Sequence, residues 1–214
     1  MILDQSENNK RIAKNTLLLY FRMFFTMAVT LYTSRVILKA LGVEDFGIYN
    51  VVAGIVTLFS FFSGALSSAA SRFISFELGS NNTSYLSKVF SAIFIIHLLF
   101  SVVVVCFAET IGLWVVNCKL TIPPERIFAA HVVYQFSVFS CIVGIMQIPL
   151  NAMIIAHERL GIYAYMSICE VIGKLSIAFV VTYCSFDHLI VYGMLLFSLV
   201  AGSDTHLRAH ETRG

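Results

Sequence analysis

Charge is what this sequence has least of. Of its 214 residues only 12% are Asp, Glu, Lys or Arg, against about 25% in an ordinary water-soluble domain. So little polar surface cannot coat a globule in water, and a composition that is 58% hydrophobic sets the apolar excess against lipid. A net charge of +2 leaves no electrostatic track for nucleic acid.

The chemical signatures of enzymes are missing too. The five cysteines, Cys106, Cys118, Cys141, Cys169 and Cys184, have no CxxC spacing, and four lie in apolar stretches. They read as small buried hydrophobes, with neither a disulfide framework nor a metal site. The histidines show no HExxH pattern, and His206 and His210 fall in a polar tail, so no metal is expected. Neither a GxxxxGKS, a GxGxxG nor a GxSxG run occurs, which leaves nucleotide hydrolysis and serine-esterase chemistry without a foundation. No enzyme activity and no cofactor are expected. The sequons in Asn81-Asn82-Thr83-Ser84 matter only if that loop faces a eukaryotic lumen.

What is present is long apolar runs. A bilayer core takes roughly 20 residues of helix, because only a helix satisfies its own backbone in lipid. Counted so, an all-α, polytopic membrane protein of about six transmembrane helices is expected: Thr16 to Leu38, Phe46 to Ala70, Val89 to Trp114, Ile127 to about Ile155, about Tyr163 to Cys184, and His188 to Gly202. The first run is too long for a signal-peptide core and has no small-residue cleavage site, so it stays as an anchor. Short polar segments separate the runs, among them Gly42 to Asp45, Thr121 to Arg126 and Ser185 to Asp187, and none is long enough to link two soluble domains. Residues 1–203 form one transmembrane unit on this reading. Residues 204–214 read as a polar tail outside the fold and as a chain cut short.

Lysine and arginine set the orientation. With a cytoplasmic amino terminus, the inner segments hold Lys10, Arg11, Lys14, Arg72, Lys88, Arg159, Arg208 and Arg213, and the outer loops only Lys39, Lys119 and Arg126.

Polar residues inside the spans are the candidates for function. Arg22 lies six residues into the first run, about 9 Å below its start, where a charge is costly unless it faces a cavity or a partner. Asn15, Arg22, Thr26 and Thr33 share one helical face, a stripe able to line an aqueous cavity; snorkelling of Arg22 to the headgroups is the competing account. Arg35 lies on another face and suits an interfacial anchor. In the second run Asn50, Gly54, Thr57, Gly64, Ser68 and Ser71 form a small-residue face, for which close helix packing is the preferred reading over a substrate face. Ser137, Ser140, Gly144, Gln147 and Asn151 repeat the pattern in the fourth, near a bend expected at Pro149. Glu170 and Lys174 stand four apart in the favourable order for a mutually neutralising pair, either structural or a coupling-ion or substrate site. No second carboxylate is spaced to give Glu170 an acid/base partner.

The stretch LYTSRVILKALGVEDFGIYN (31–50), with SSAASRFISFELG (67–79) and NAMIIAHERLGIYAYMSICEVIGKL (151–175), resembles bacterial polysaccharide-export flippases, over roughly Asn9 to Gly202. These belong with the multidrug, oligosaccharidyl-lipid and polysaccharide exporters, built from two six-helix lobes around a central cavity. The resemblance implies one lobe of such a transporter in the bacterial cytoplasmic membrane, moving a polyprenyl-diphosphate-linked oligosaccharide to the outer leaflet during O-antigen, capsule or exopolysaccharide synthesis. It implies Arg22 and Arg35 as cations facing the diphosphate. Its partners would be the lipid-linked substrate, membrane lipid, and a second lobe or a second copy. Two other readings stand beside it, a cation-coupled multidrug exporter lobe and a non-transporting membrane fragment or scaffold. The first of these would place an acid in the early spans, and neither Thr16 to Leu38 nor Phe46 to Ala70 contains one in its membrane part.

Overall fold

The computed structural model describes residues 2–80, 83–157 and 160–211, with the backbone alone for 2–9, 11, 12, 60, 83, 160 and 203–211. Asn81, Asn82, Arg159 and Arg213 lie outside the described residues, as do the side chains of Arg11, His206, Arg208 and His210.

Every described element is helical. In chain order they are α1 (Ile2–Thr57), α2 (Ser60–Gly79), α3 (Thr83–Phe107), a π-helical turn (Ala108–Gly112), α4 (Leu113–Cys118), a 3-10 turn (Pro124–Arg126), α5 (Ile127–Ala156), α6 (Leu160–Thr182) and α7 (His188–Glu211). Four helical stretches are long and apolar enough to cross a membrane, Ala13–Thr57, Ser84–Cys118, Pro124–Ala156 and Gly161–Thr182, and His188–Gly202 is a shorter apolar helix. The chain is a helical, membrane-embedded protein. Its exposed side chains are the ones that would be core in water: Phe21, Phe24, Leu31, Phe61, Phe76 and Leu99 are each more than half exposed.

The helix boundaries differ from those expected. The segment Gly42 to Asp45 is expected as a loop, yet the helix breaks at one residue and resumes at once. Gly42 has φ 77° and ψ 171°, a conformation open to glycine and strained for any residue with a Cβ. Gly42→Ala is therefore expected to lower stability by about 1–2 kcal/mol, although a Cβ there would meet nothing within 4 Å; thermal melting in detergent, where an unchanged midpoint would contradict the assignment, checks it. The second expected run is divided, because α1 ends at Thr57 and α2 starts at Ser60. At the far end, α7 runs through Glu211, so the backbone of 203–211 is helical where the sequence shows no helical pattern.

Two clusters mark opposite ends of the bundle. At one, Asp45 before the second arm of α1, Arg126 at the head of α5 and Asp187 before α7 meet in a single ion cluster. At the other, Ala70 and Ile74 of α2, Ile93 of α3 and Ala152 of α5 form a small apolar core. The chain therefore runs away and back between Asp45 and Arg126, and again between Arg126 and Asp187. The larger core lies between these, where Val52, Ala108, Val133, Tyr134, Ala178 and Leu189 are buried. α1 packs most extensively on α6, and α5 on α7 and α2.

Close approach is made by glycines outside the expected small-residue faces. A Cβ on Gly173 would stand 2.5 Å from Leu199, and one on Gly193 would be 3.2 Å from Val133, so these two positions let α7 lie against α6 and α5. Gly54, Gly64 and Gly144 by contrast face nothing within 4 Å. The close-packing reading of the second-run face is thus corrected: Asn50, Thr57, Gly64 and Ser68 are exposed, and no helix among the described residues covers them. Pro149 is buried within an α5 that continues unbroken to Ala156. The cysteines also depart from expectation, since Cys106, Cys118 and Cys169 are exposed and only Cys141 and Cys184 are partly buried. In a membrane protein apolar sequence marks lipid contact as often as core, which is why composition misplaced them.

Candidate functional site

The seam between α1 and α6 gathers most of the polar candidates. Parallel packing of the first arm of α1 on α6 brings the start of the apolar part of α1 against the first turns of α6. There the Arg22 guanidinium donates from Nη1 to Ser167 Oγ at 3.0 Å and stands 4.7 Å from the centre of the Tyr163 ring. Ser167 in turn donates to the Tyr163 carbonyl at 3.0 Å, so its hydroxyl oxygen is turned toward Arg22. The cation is thereby drawn across to a neighbouring helix. Arg22 Nε is buried and has no hydrogen-bond partner. Among the described residues no carboxylate lies within ion-pair range of this guanidinium, and a ring face supplies only about 0.5–2 kcal/mol of attraction.

Further along the same seam opens a cleft of about 140 Å³, lined by Thr30, Thr33, Ser34, Phe46, Tyr49 and Asn50 of α1, Lys174 of α6 and Tyr192 of α7, among others. Tyr49 and Tyr192 meet edge to face with centroids 4.8 Å apart and form its floor. Thr33, Ser34 and Asn50 each donate to a carbonyl of their own helix. This leaves their oxygens free to accept from a ligand, with a cation, Lys174, beside them.

The sequence-derived candidates divide accordingly. Arg22, Thr33 and Lys174 are brought onto one seam, although two of them come from α1 and one from α6. Thr33 is buried on that seam. Asn15 is partly buried near the start of α1, and Thr26 turns its hydroxyl to the Met23 carbonyl. Arg35 is exposed and takes no part in the cleft. Glu170 and Lys174 do pair, at 2.7 Å, with both side chains 42% exposed. Pairing is what lets these two charges sit within a span, where either alone would be costly. Gln147, expected on a small-residue stripe, donates to the Val200 carbonyl of α7 at 3.1 Å.

Three features of the site region escape single-residue reading. The first is the aromatic floor, for which Tyr49 and Tyr192 carry no local signal. The second is the ion cluster, in which Arg126 Nε donates to Asp45 Oδ1 at 2.7 Å and Nη1 to Asp187 Oδ2 at 2.6 Å. Asp187 Oδ1 also caps α7 by accepting from Leu189 N at 3.0 Å and Ile190 N at 3.2 Å. The third is Glu109, an acid in the third apolar run, beyond the two early spans where an acid would mark a cation-coupled exporter. Among the described residues no group of three or more metal-ligating side chains comes together. No protein-family model, no curated protein and no solved structure matches this chain.

Proposed function

We propose that this chain forms one six-span lobe of a membrane translocator for polyprenyl-diphosphate-linked oligosaccharides, with Arg22 as a ligand for the diphosphate. The observation that carries this reading is the state of Arg22. A guanidinium at membrane depth, held sideways by Ser167 and Tyr163, keeps a buried Nε–H with no acceptor. Leaving such a donor unmade costs about 1–3 kcal/mol, and a charge without a counter-ion in a span costs on the order of 2.5 kcal/mol or more. A phosphate group offsets both, because the planar fork matches its oxygens. Snorkelling, the competing account, predicts that Arg22→Lys behaves like the wild type.

The uncovered polar face supports the same reading. Asn50, Thr57, Gly64 and Ser68 are exposed, and Asn50 also lines the cleft that holds Lys174. Asn50, Thr57 and Ser68 each donate to a carbonyl of their own helix, which leaves their oxygens open; facing a cavity closed by a second lobe or a second copy, they would meet water and sugar hydroxyls. Alternating access in such transporters is the rocking of one unit against another around a central site. Arg35 is a second candidate for the diphosphate only where another unit brings it to the cavity.

Arg22→Lys and Arg22→Ala test the proposal when transport of the lipid-linked oligosaccharide is scored per folded molecule. Arg22→Ala is expected to reduce transport at least tenfold with a smaller change in folded protein, and Arg22→Lys to fall between, because a point charge lacks the planar donor pair. Transport per folded molecule that is unchanged in Arg22→Ala removes the ligand role. The double variant Glu170→Gln/Lys174→Met, which removes the pair without leaving a lone charge in the span, is expected to shift stability by less than about 1 kcal/mol while weakening transport, which would separate the cleft from the fold.

Orientation is proposed from the lysine and arginine bias, with the amino terminus in the cytoplasm of a bacterial cell. The exposed Cys118 is then expected to react with a membrane-impermeant thiol reagent added to intact cells, and a cysteine placed at Ser84 to stay unlabelled until the membrane is opened. The reverse pattern means the reverse orientation.

A further inference from the structure

Glu109 has no role in the seam described above, and its surroundings are unusual. It sits in the π-helical turn Ala108–Gly112 that interrupts the long stretch Ser84–Cys118. The cause of that turn is visible. Tyr134 of α5 pushes its hydroxyl into the helix at Gly112, where a Cβ would overlap the oxygen, and donates to the Ala108 carbonyl at 2.7 Å. Leu113 N then reaches back five residues to the same carbonyl. The extra residue absorbed by the turn swings Glu109 out toward α5, where Gln135 Nε2 lies 3.3 Å from its Oε2. Turns of this kind gather at functional sites.

Depth follows from the interfacial markers. Lys119 stands over the Trp114 ring at 5.1 Å, a pairing suited to the headgroup level. Glu109 is five residues before Trp114, about 7–8 Å deeper at 1.5 Å per residue. Its partner Gln135 is nine residues past Arg126, about 13 Å along α5.

Glu170 is held by Lys174, and Asp45 and Asp187 by Arg126, while Glu77 at the end of α2 accepts only from the Ser80 hydroxyl at 3.4 Å. Among the described residues no cation lies within ion-pair range of Glu109. Its partner is an amide, and an amide can serve either protonation state. It donates from Nε2 to a carboxylate, or turns and accepts at Oε1 from a carboxylic O–H. A lysine or arginine could serve only the first.

We propose that Glu109 is a proton-binding site within the membrane, exchanging one proton with water at the nearer bundle end. The step is a simple transfer. A proton from water forms an O–H bond on one carboxylate oxygen, the charge is neutralised, the Gln135 amide turns to accept, and release reverses each change. A sodium ion would need several oxygen ligands, whereas the side chain aimed at this carboxylate presents a donor. Of the groups nearby, α5 contributes Tyr134 and, one turn nearer the end, His131, whose Nε2 is 2.9 Å from Asn117 Oδ1 of α4. The stretch of α1 in the same core offers aliphatic side chains, Ile48, Val52 and Val56. The site stands apart from the diphosphate reading, and its test reads no transport.

The full chain in lipid nanodiscs is treated with dicyclohexylcarbodiimide, which attacks protonated carboxyls in apolar surroundings, and the labelled peptide is identified by mass spectrometry. Infrared difference spectra are recorded between neutral and alkaline buffer, a range in which an ordinary water-exposed carboxyl stays ionised and gives no carboxylic band. Labelling is expected on Glu109 and to decline as pH rises, and the carboxylic C=O band of the acid form is expected to vanish in Glu109→Gln. In Gln135→Leu that band should persist but move to higher frequency, since the acid loses its acceptor. A purely structural Glu109 would leave the spectra of the wild type and Glu109→Gln alike. That result, or an absence of label on Glu109 at every pH where the melting transition is intact, overturns the proposal.

Discussion

Gly112→Ala is expected to lower the stability of this protein by about 2–4 kcal/mol, the sum of an overpacked contact and a lost buried hydrogen bond. The new methyl would overlap the Tyr134 hydroxyl and sit 3.0 Å from the ring carbon that bears it. The hydroxyl must leave, and the Ala108 carbonyl loses its donor. Relief is not available by a small rotation, because Tyr134 is fully buried. Tyr134→Phe alone should cost about 1 kcal/mol, the net worth of one hydrogen bond. In the double variant the closest atom is gone while the ring carbon at 3.0 Å remains, so the pair should recover part of the loss, and the two effects should be less than additive. Melting of the four proteins in the same detergent measures this. A Gly112→Ala variant within about 0.5 kcal/mol of wild type, roughly the scatter of neutral substitutions, would mean that the tyrosine does not enter the helix.

The second large effect is expected at Arg126, which ties three connections at one end of the bundle. Its fork grips both oxygens of Asp45 and one of Asp187, with side-chain exposures of 25%, 14% and 31%. Breaking a fully buried pair costs about 3–5 kcal/mol and an exposed one about 0–1. The partial burial here places Arg126→Leu near about 2–3 kcal/mol, since two carboxylates are left facing one another. Arg126→Lys can neutralise one of them but cannot span both, so it should recover less than half. Added salt should change the wild type little and soften the loss in Arg126→Leu, because only the exposed orphan charges are open to screening. If Arg126→Leu melts with the wild type, the cluster does not hold the bundle end.

Much of the architecture is legible in the sequence, and the reason lies in the solvent. Lipid cannot hydrogen-bond a backbone, so long apolar runs with sparse charge admit helices almost alone; the helices over Ser84–Cys118, Pro124–Ala156 and Gly161–Thr182 fall where hydropathy puts them, whereas the run Phe46 to Ala70 is split between α1 and α2. The spacing of Glu170 and Lys174 implies their pair, because four residues bring side chains to one helix face. Arg22 stands out for a similarly local reason, the cost of a charge within a span.

Which face meets what is not legible in the same way. In water, an apolar side chain points inward, but between lipid and protein the difference in polarity disappears. Cys106 and Cys169 are exposed for that reason, and the glycines of the second run face open space while Gly173 and Gly193 carry the close contacts. The single-residue break at Gly42 is a matter of φ and ψ, and a polar GVED segment reads as a loop.

The sequence by itself determined that this is a membrane protein of long helices with a few costly polar residues within them, since composition, run length and local spacing are enough to fix solvent and secondary structure. Only the tertiary structure decided the partners: Ser167 and Tyr163 for Arg22, two aspartates 81 and 61 residues away for Arg126, and the Tyr134 hydroxyl that opens the turn at Glu109. Those pairings depend on how helices distant in the chain are laid against one another, and that is set by shape complementarity at a few small residues, which leaves no periodic mark along the sequence.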